Sequence, residues 1–178
     1  PKSGNTWVRS IVNQLAFHDI KKNEDVFDGL NKIRRYPAPY DMPKLPKISE
    51  VSTDDQKKKV IEYSIKNWKK TQDRIYEKKK LQFLKTHNVL CKLKIGIQDY
   101  QFTDILNSIG VIHIVRDPRN IVTSVKNHFN HESIEESIDM MKDPNRWTGF
   151  KNNEVPQLLS SWNNHFNSWK QFPKNNFL

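Results

Sequence analysis

Hydrophobic positions recur along this chain with two periods, and they set the first expectations for its elements. Val8, Ile11, Val12 and Leu15 fall at i, i+3, i+4 and i+7, which predicts a helix with one apolar face directly after the opening residues 1–7. The spacing of Val60, Ile61, Ile65, Trp68 and Ile75 predicts a long helix over 55–80. Residues 81–86 read as a short strand ending at His87, and 99–109 as a short helix stopped by Gly110. The uninterrupted run Val111, Ile112, His113, Ile114, Val115 reads as a buried parallel strand. Asp117 and Pro118 behind it suit the N-cap and the first position of a helix that continues through Ile121, Val122 and Val125. Another short helix is expected over 132–142, and an amphipathic one over 156–172 with Leu158, Leu159, Trp162, Phe166 and Trp169 on one side. Phe177 and Leu178 read as the opening of a further strand. Between the first two helices, 20–53 carries Pro37, Pro39, Pro43 and Pro46 and is expected to be irregular. Strand–loop–helix units of this kind predict an α/β fold.

The length, 178 residues, suits a single domain covering 1–178. Hydrophobic residues make up only 35%, but five Trp and nine Phe supply the bulk of a packed core. No run approaches 18 apolar residues, so no membrane span is expected. The single Cys91 excludes an internal disulfide framework and argues against a Cys-based zinc site. Lys and Arg number 30 against 20 Asp and Glu, a net charge of +10. That balance suits a polyanionic partner. It is also what composition alone produces: 23 Lys, 18 Asn and 16 Ile against 7 Arg is the bias of an AT-rich genome. Base-reading proteins favour Arg for its bidentate fork, so no nucleic-acid partner is expected. The basic stretch 57–80, with ten Lys or Arg and three Asp or Glu, reads as a solvated charged face.

Three short segments carry candidate chemistry. In the first, Ser3, Gly4, Asn5 and Thr6 sit just ahead of a helix start, whose unpaired amides and positive dipole end attract anions. Lys2 adds a mobile charge, the hydroxyls add donors, and Trp7 offers a flat face for an adenine ring. The G-x-x-x-x-G-K-[ST] pattern is absent. In the second, Arg116 stands at the carboxyl end of the expected strand 111–115, where open α/β sheets bind ligands, and Ser124 lies two helical turns on. A guanidinium and a hydroxyl suit a dianionic phosphate. In the third, Lys85, Thr86 and His87 end a strand; imidazole accepts a proton near neutral pH, and a neighbouring Lys offsets negative charge. Taken singly, each segment has an ordinary explanation: a capped helix start, a surface Arg with a helix Ser, a solvated Lys with a loop His.

Together, in this order and spacing, the P-K-S-G-x-T-W loop, the K-T-H and the R-D-P-R-N-x-x-x-S junction resemble the sulfotransferases that use 3′-phosphoadenosine 5′-phosphosulfate (PAPS), most closely the cytosolic type. The resemblance runs from Pro1 to about Phe172, with no matched motif over 20–80. It implies a P-loop-like three-layer fold with a central parallel sheet. It implies a catalytic set of His87, Lys2 and Lys85, with His87 as base, Lys2 at the bridging oxygen and Lys85 near the sulfonate. It also implies a cofactor set of Lys2, Ser3, Gly4, Asn5, Thr6 and Trp7 for the 5′-phosphosulfate and adenine, and Arg116 and Ser124 for the 3′-phosphate. The expected product nucleotide is PAP (3′-phosphoadenosine 5′-phosphate). No metal is expected, since lysines and helix amides take the role of a cation.

Two departures qualify that picture. Asn5 stands where the family loop usually has Thr; it keeps a donor and an acceptor. The family's R-K-G segment, the tyrosine of its R-Y-E-D-like strand and its C-terminal dimerisation motif have no counterpart here, and no strand precedes the phosphate loop. The expectation is therefore a partial domain truncated at both ends, whose activity as a fragment is open. The acceptor, a small molecule or glycan, would be read by 20–53 as a loop or lid, with Phe27, Tyr36 and Tyr40 lining it. The single Cys and the K-T-H motif point to the cytoplasm. Oligomeric state is not legible. Two other readings stay open: a P-loop-type kinase, whose nucleotide binding would need magnesium, and a basic polyanion-binding module, whose binding would be steeply salt-dependent. His128 and His131 lack a third metal ligand, His113 reads as a core histidine, and Trp162, Phe166 and Trp169 as a core stripe.

Overall fold

The computed structural model describes residues 4–17, 32–42, 44–45, 53–77, 81–150 and 154–173. The element order is α1 (Asn5–Phe17), β1 (Arg34–Arg35), α2 (Asp54–Tyr76), β2 (Leu84–Lys85), β3 (Lys92–Ile95), β4 (Gln98–Gln101), α3 (Pro118–Phe129), α4 (Ile134–Lys142), β5 (Trp147–Thr148), β6 (Gln157–Leu158) and α5 (Trp162–Trp169), with 3-10 turns at Pro39–Asp41 and Ile105–Asn107. The chain divides into two compact units. One holds Pro1–Tyr36, Leu81–Thr86 and Ile114–Ser137, the other Pro37–Lys80, His87–His113 and Ile138–Leu178.

In the first unit β1 and β2 pair in parallel, Arg34 opposite Leu84 and Arg35 opposite Lys85, and the Tyr36 amide extends the pairing by donating to the Lys85 carbonyl at 2.8 Å. Phe17 at the end of α1 meets Phe83 edge-on at 5.7 Å. The apolar face expected on α1 is not the buried one. Ser10 and Asn13 are buried, whereas Trp7, Ile11 and Leu15 are exposed. Periodicity identifies a face but not what covers it. Helix α3 forms as its sequence predicts. Asp117 caps it by accepting from the Arg119 amide at 2.8 Å, Pro118 opens it, Ile121 and Val125 are buried, and Asn130 ends it at φ 55°.

The second unit is built on α2. Thr53 caps it in a reciprocal pair with Gln56: the Gln56 amide donates to the Thr53 hydroxyl at 3.2 Å, and the Thr53 amide donates to Gln56 Oε1 at 3.0 Å. Val60, Ile65, Trp68 and Ile75 are buried along one side, as their spacing predicts. That side packs on an antiparallel hairpin of β3 and β4, with Trp68 edge-on to Phe102 at 5.1 Å. Gln72 locks the contact, donating to the Asp104 carbonyl at 3.0 Å and accepting from the Asp104 amide at 2.7 Å. Gly96, at φ 61°, takes the first position of the two-residue hairpin turn, a conformation glycine adopts without strain. A second antiparallel pair joins β5 to β6, Trp147 opposite Leu158 and Thr148 opposite Gln157.

Four expectations are corrected. The helix expected over 156–172 is shortened to α5, Trp162–Trp169, because Gln157–Leu158 pairs with Trp147–Thr148 as a strand. The run 111–115 is not a strand: only Val111 forms an isolated bridge, and Ile112 and Val115 are 48% and 45% exposed. Apolar β-branched residues favour extended backbone, but a strand also needs a neighbour for its hydrogen bonds, and the described residues supply none there. Residues 99–109 are not a helix but strand β4 followed by the 3-10 turn, because the hairpin partner Lys92–Ile95 claims that backbone. The strand expected over 81–86 is reduced to Leu84–Lys85. Among the described residues helices and small two-stranded sheets mix, and the only parallel pair is β1 with β2. The strand expected at Phe177 lies outside the described residues, as do Phe27 and most of 20–53. No helix of the described residues is long and apolar enough to cross a membrane.

Candidate functional site

The first candidate segment begins α1. Lys2 and Ser3 lie outside the described residues. Gly4 stands immediately ahead of the helix with φ 105°, a conformation strained for any residue with a Cβ, and its carbonyl accepts the first helical bond from the Val8 amide at 3.2 Å. The amides of Asn5, Thr6 and Trp7, at the first three helical positions, have no acceptor within the helix. Asn5 is half-buried, Thr6 is exposed, and Trp7 is 77% exposed with its ring open to a stacking partner. Arg9, one turn further on, sits near enough to Arg35 of β1 for the two charges to interact; burial first, and then the Arg35 charge, lowers its pKa. This unit therefore gathers positive charge around its first helix and strand.

In the same unit, Arg116 precedes α3 and Ser124 lies within it. Asp117 is taken up by Arg119, whose Nε lies 3.1 Å from both carboxylate oxygens and whose Nη2 lies 2.6 Å from Oδ2. That pairing holds the Asp117 carboxyl below its usual range. It also leaves Arg116 exposed, with no carboxylate partner among the described residues. The half-buried Ser124 hydroxyl likewise has no hydrogen-bond partner among them. A guanidinium, a hydroxyl and helix-start amides are each donors of the kind that bind phosphate oxygens. No group of three or more His, Cys, Asp or Glu suited to a metal is found among the described residues.

The third segment spans the boundary between the units. Half-buried Lys85 lies in β2 of the first; half-buried His87 opens the stretch His87–His113 of the second. The backbone of His87 is held on both sides. Its amide donates to Gln157 Oε1 at 2.7 Å, and its carbonyl lies 3.3 Å from His165 Nε2. A carbonyl only accepts, so His165 carries its proton on Nε2. Asn88, fully buried, continues the connection: its Oδ1 accepts from the Leu158 amide at 2.7 Å, its Nδ2 donates to the Val89 carbonyl at 2.8 Å, and its own carbonyl accepts from Trp169 Nε1 at 3.1 Å. Sequence reasoning did not find Gln157, His165 or Asn88. A signal for His165 exists in the chain, since Trp162, His165, Phe166 and Trp169 share one helical face, where a polar residue among aromatics needs a partner.

Burial lowers the pKa of both His113 and His165, and His165 falls to about 4, with the nearby His113 ring, 5.8 Å away, adding to the effect. The folded value lies below that of the unfolded chain, so the unfolded state takes up the proton first. Stability from His165 is thus fully present above about pH 6.5 and is lost as pH falls toward 4. Between pH 7.5 and pH 5 this amounts to about 2 kcal/mol. Urea midpoints at the two pH values will show the loss, and His165→Phe will flatten it. Equal pH slopes in the two proteins would refute the assignment. Cys91, pushed up to about 12 by burial, is an inert thiol at neutral pH.

His131 Nδ1 lies 2.8 Å from Ser137 Oγ, and His128 stacks edge-on to Phe129, so both histidines have structural surroundings. The expected acceptor-side aromatics divide: Tyr36 is buried and Tyr40 is 68% exposed. The family model of the sulfotransferase domain matches residues 1–178. No curated protein and no solved structure matches the chain.

Proposed function

This chain belongs to the sulfotransferase domain family, and as such is a transferase of sulfuryl groups; we propose that its donor is PAPS and that His87 is the base. The observation that carries the donor assignment is the start of α1, where Gly4 at φ 105° opens a helix N-terminus to an anion. Gly4, Asn5, Thr6, Lys2 and Ser3 are assigned to the 5′-phosphate, Trp7 to the adenine, and Arg116 with Ser124 to the 3′-phosphate. The donor, when bound, supplies a sulfuryl group on a phosphate leaving group. His87 takes the proton of an acceptor hydroxyl or amine as that atom attacks sulfur. Lys85 offsets negative charge on the sulfonate oxygens and Lys2 that on the departing phosphate, so catalysis is mostly positioning and charge stabilisation. The acceptor is assigned to 20–53, and the compartment to the cytoplasm.

Calorimetric titration of the full-length protein with PAP, in the absence of magnesium and with ADP as control, tests the donor. PAP is expected to bind and ADP to bind far more weakly. Arg116→Ala is expected to weaken PAP by about 10–100-fold, the loss of a charged hydrogen-bond donor, and to leave ADP unchanged. Equal affinity for the two nucleotides would overturn the PAPS assignment. A strict magnesium requirement would favour a kinase.

A further inference from the structure

The segment 87–90 belongs to no strand, yet its backbone is bonded almost group by group to residues some seventy to eighty positions away. The His87 amide donates to Gln157 Oε1 at 2.7 Å and the His87 carbonyl accepts from His165 Nε2 at 3.3 Å. The Val89 amide donates to the Leu158 carbonyl at 2.8 Å, and the Leu90 amide to Ser168 Oγ at 3.2 Å. Ser168 Oγ in turn donates to the His165 carbonyl at 2.8 Å, tying the helix that carries His165 to the same segment. All these groups lie in one unit.

A loop residue usually owes its backbone angles to water and chance neighbours. His87 is different, because the peptide planes on both its sides end in side chains, and those side chains are themselves held. Gln157 is buried in β6. The His165 ring sits on α5, with the rings of His113, Trp162, Phe166 and Trp169 around that face. With both planes fixed, the only freedom left to the imidazole is rotation about its own two side-chain bonds.

We propose that Gln157 and His165 are positioning residues for His87, clamping its amide and its carbonyl so that the imidazole meets the acceptor from one fixed direction. The inference rests on the reading of His87 as the base. Burial keeps His165 neutral at working pH, so its Nε2–H stays available as a donor without placing a second charge beside the base. Neither residue touches the reacting atoms. Their contribution is geometric, and a misplacement of about 1 Å costs about 100-fold in rate.

The test uses the full-length protein and a double-mutant cycle against His87→Ala. Gln157→Met and His165→Phe keep side-chain volume and remove the acceptor and the donor respectively; His165→Gln keeps a donor near the Nε2 position. Each of the first two is expected to lower kcat by about 10–100-fold, with acceptor KM and PAP affinity changed by less than about twofold and with most of the rate restored in His165→Gln. In the His87→Ala background neither is expected to lower kcat further, because there is no imidazole left to aim. A parallel fall in PAP affinity, or the same fold-loss with and without His87, would show a merely structural role and overturn the proposal. Unchanged kcat in both variants, with His87→Ala impaired, would overturn the clamp alone. Wild-type turnover in His87→Ala would overturn the base assignment itself. His165→Phe tests the carbonyl side by itself should Gln157→Met fail to fold.

Discussion

His87→Ala is expected to lower turnover by about 10²–10⁴-fold, the usual contribution of a positioned general base. Two features make this loss interpretable. The bonds that residue 87 makes to Gln157 and His165 run through its backbone amide and carbonyl, so an alanine there keeps those two links. The ring is half-buried and outside the buried core, so little packing is lost with it. Folding and PAP affinity should therefore match the parent protein while kcat falls. Steady-state rates across pH give a second reading, since the acidic limb due to the base should vanish with the imidazole. A variant that keeps parental kcat would remove His87 from the chemistry.

The second large effect is on stability. Gly149→Ala is expected to destabilise the second unit by about 3–5 kcal/mol, combining positive-φ strain with steric overlap. Gly149 is buried at φ 93°, and a Cβ there would lie 2.6 Å from the Val155 carbonyl oxygen, 3.1 Å from its carbon and 3.2 Å from the Pro156 Cα. All three are backbone atoms, so no side-chain rotation relieves the overlap. The strand would have to move, and it carries Gln157 and Leu158, which hold His87 and Asn88. The melting temperature should fall by about 10 °C, and activity should fall with it even below the transition. A variant melting within about 2 °C of the parent would mean that β5 and β6 do not approach as closely as described.

These two predictions draw on different kinds of information. His87 is legible in the sequence alone, because a K-T-H beyond a strand and its order among the other two motifs are written in the chain. Gly149 is not. Nothing in the sequence around it reveals that Val155 and Pro156 come within van der Waals distance, since that contact is made only when β5 and β6 close.

The same division runs through the molecule. The sequence by itself determined helices α2 and α3, because their causes are local. Thr53 and Gln56 cap α2 three residues apart, Asp117 and Pro118 start α3 next to one another, and the apolar spacing of α2 identifies the side it buries. It also determined the candidate residues at the start of α1, at Lys85 and His87, and at Arg116 and Ser124. Only the tertiary structure decided which apolar runs become strands. Val111 to Val115 has strand-forming residues but finds no ladder among the described residues, whereas the alternating Lys92–Ile95 pairs with Gln98–Gln101, which has no such alternation. It also decided that Ser10 and Asn13, and not Ile11 and Leu15, are the buried side of α1. And it decided the clamp on His87, whose partners lie 70 and 78 residues away. A cap or a periodic face is set by neighbours within one or two turns, so the chain records it directly; a hydrogen bond across the fold exists only after distant segments have packed.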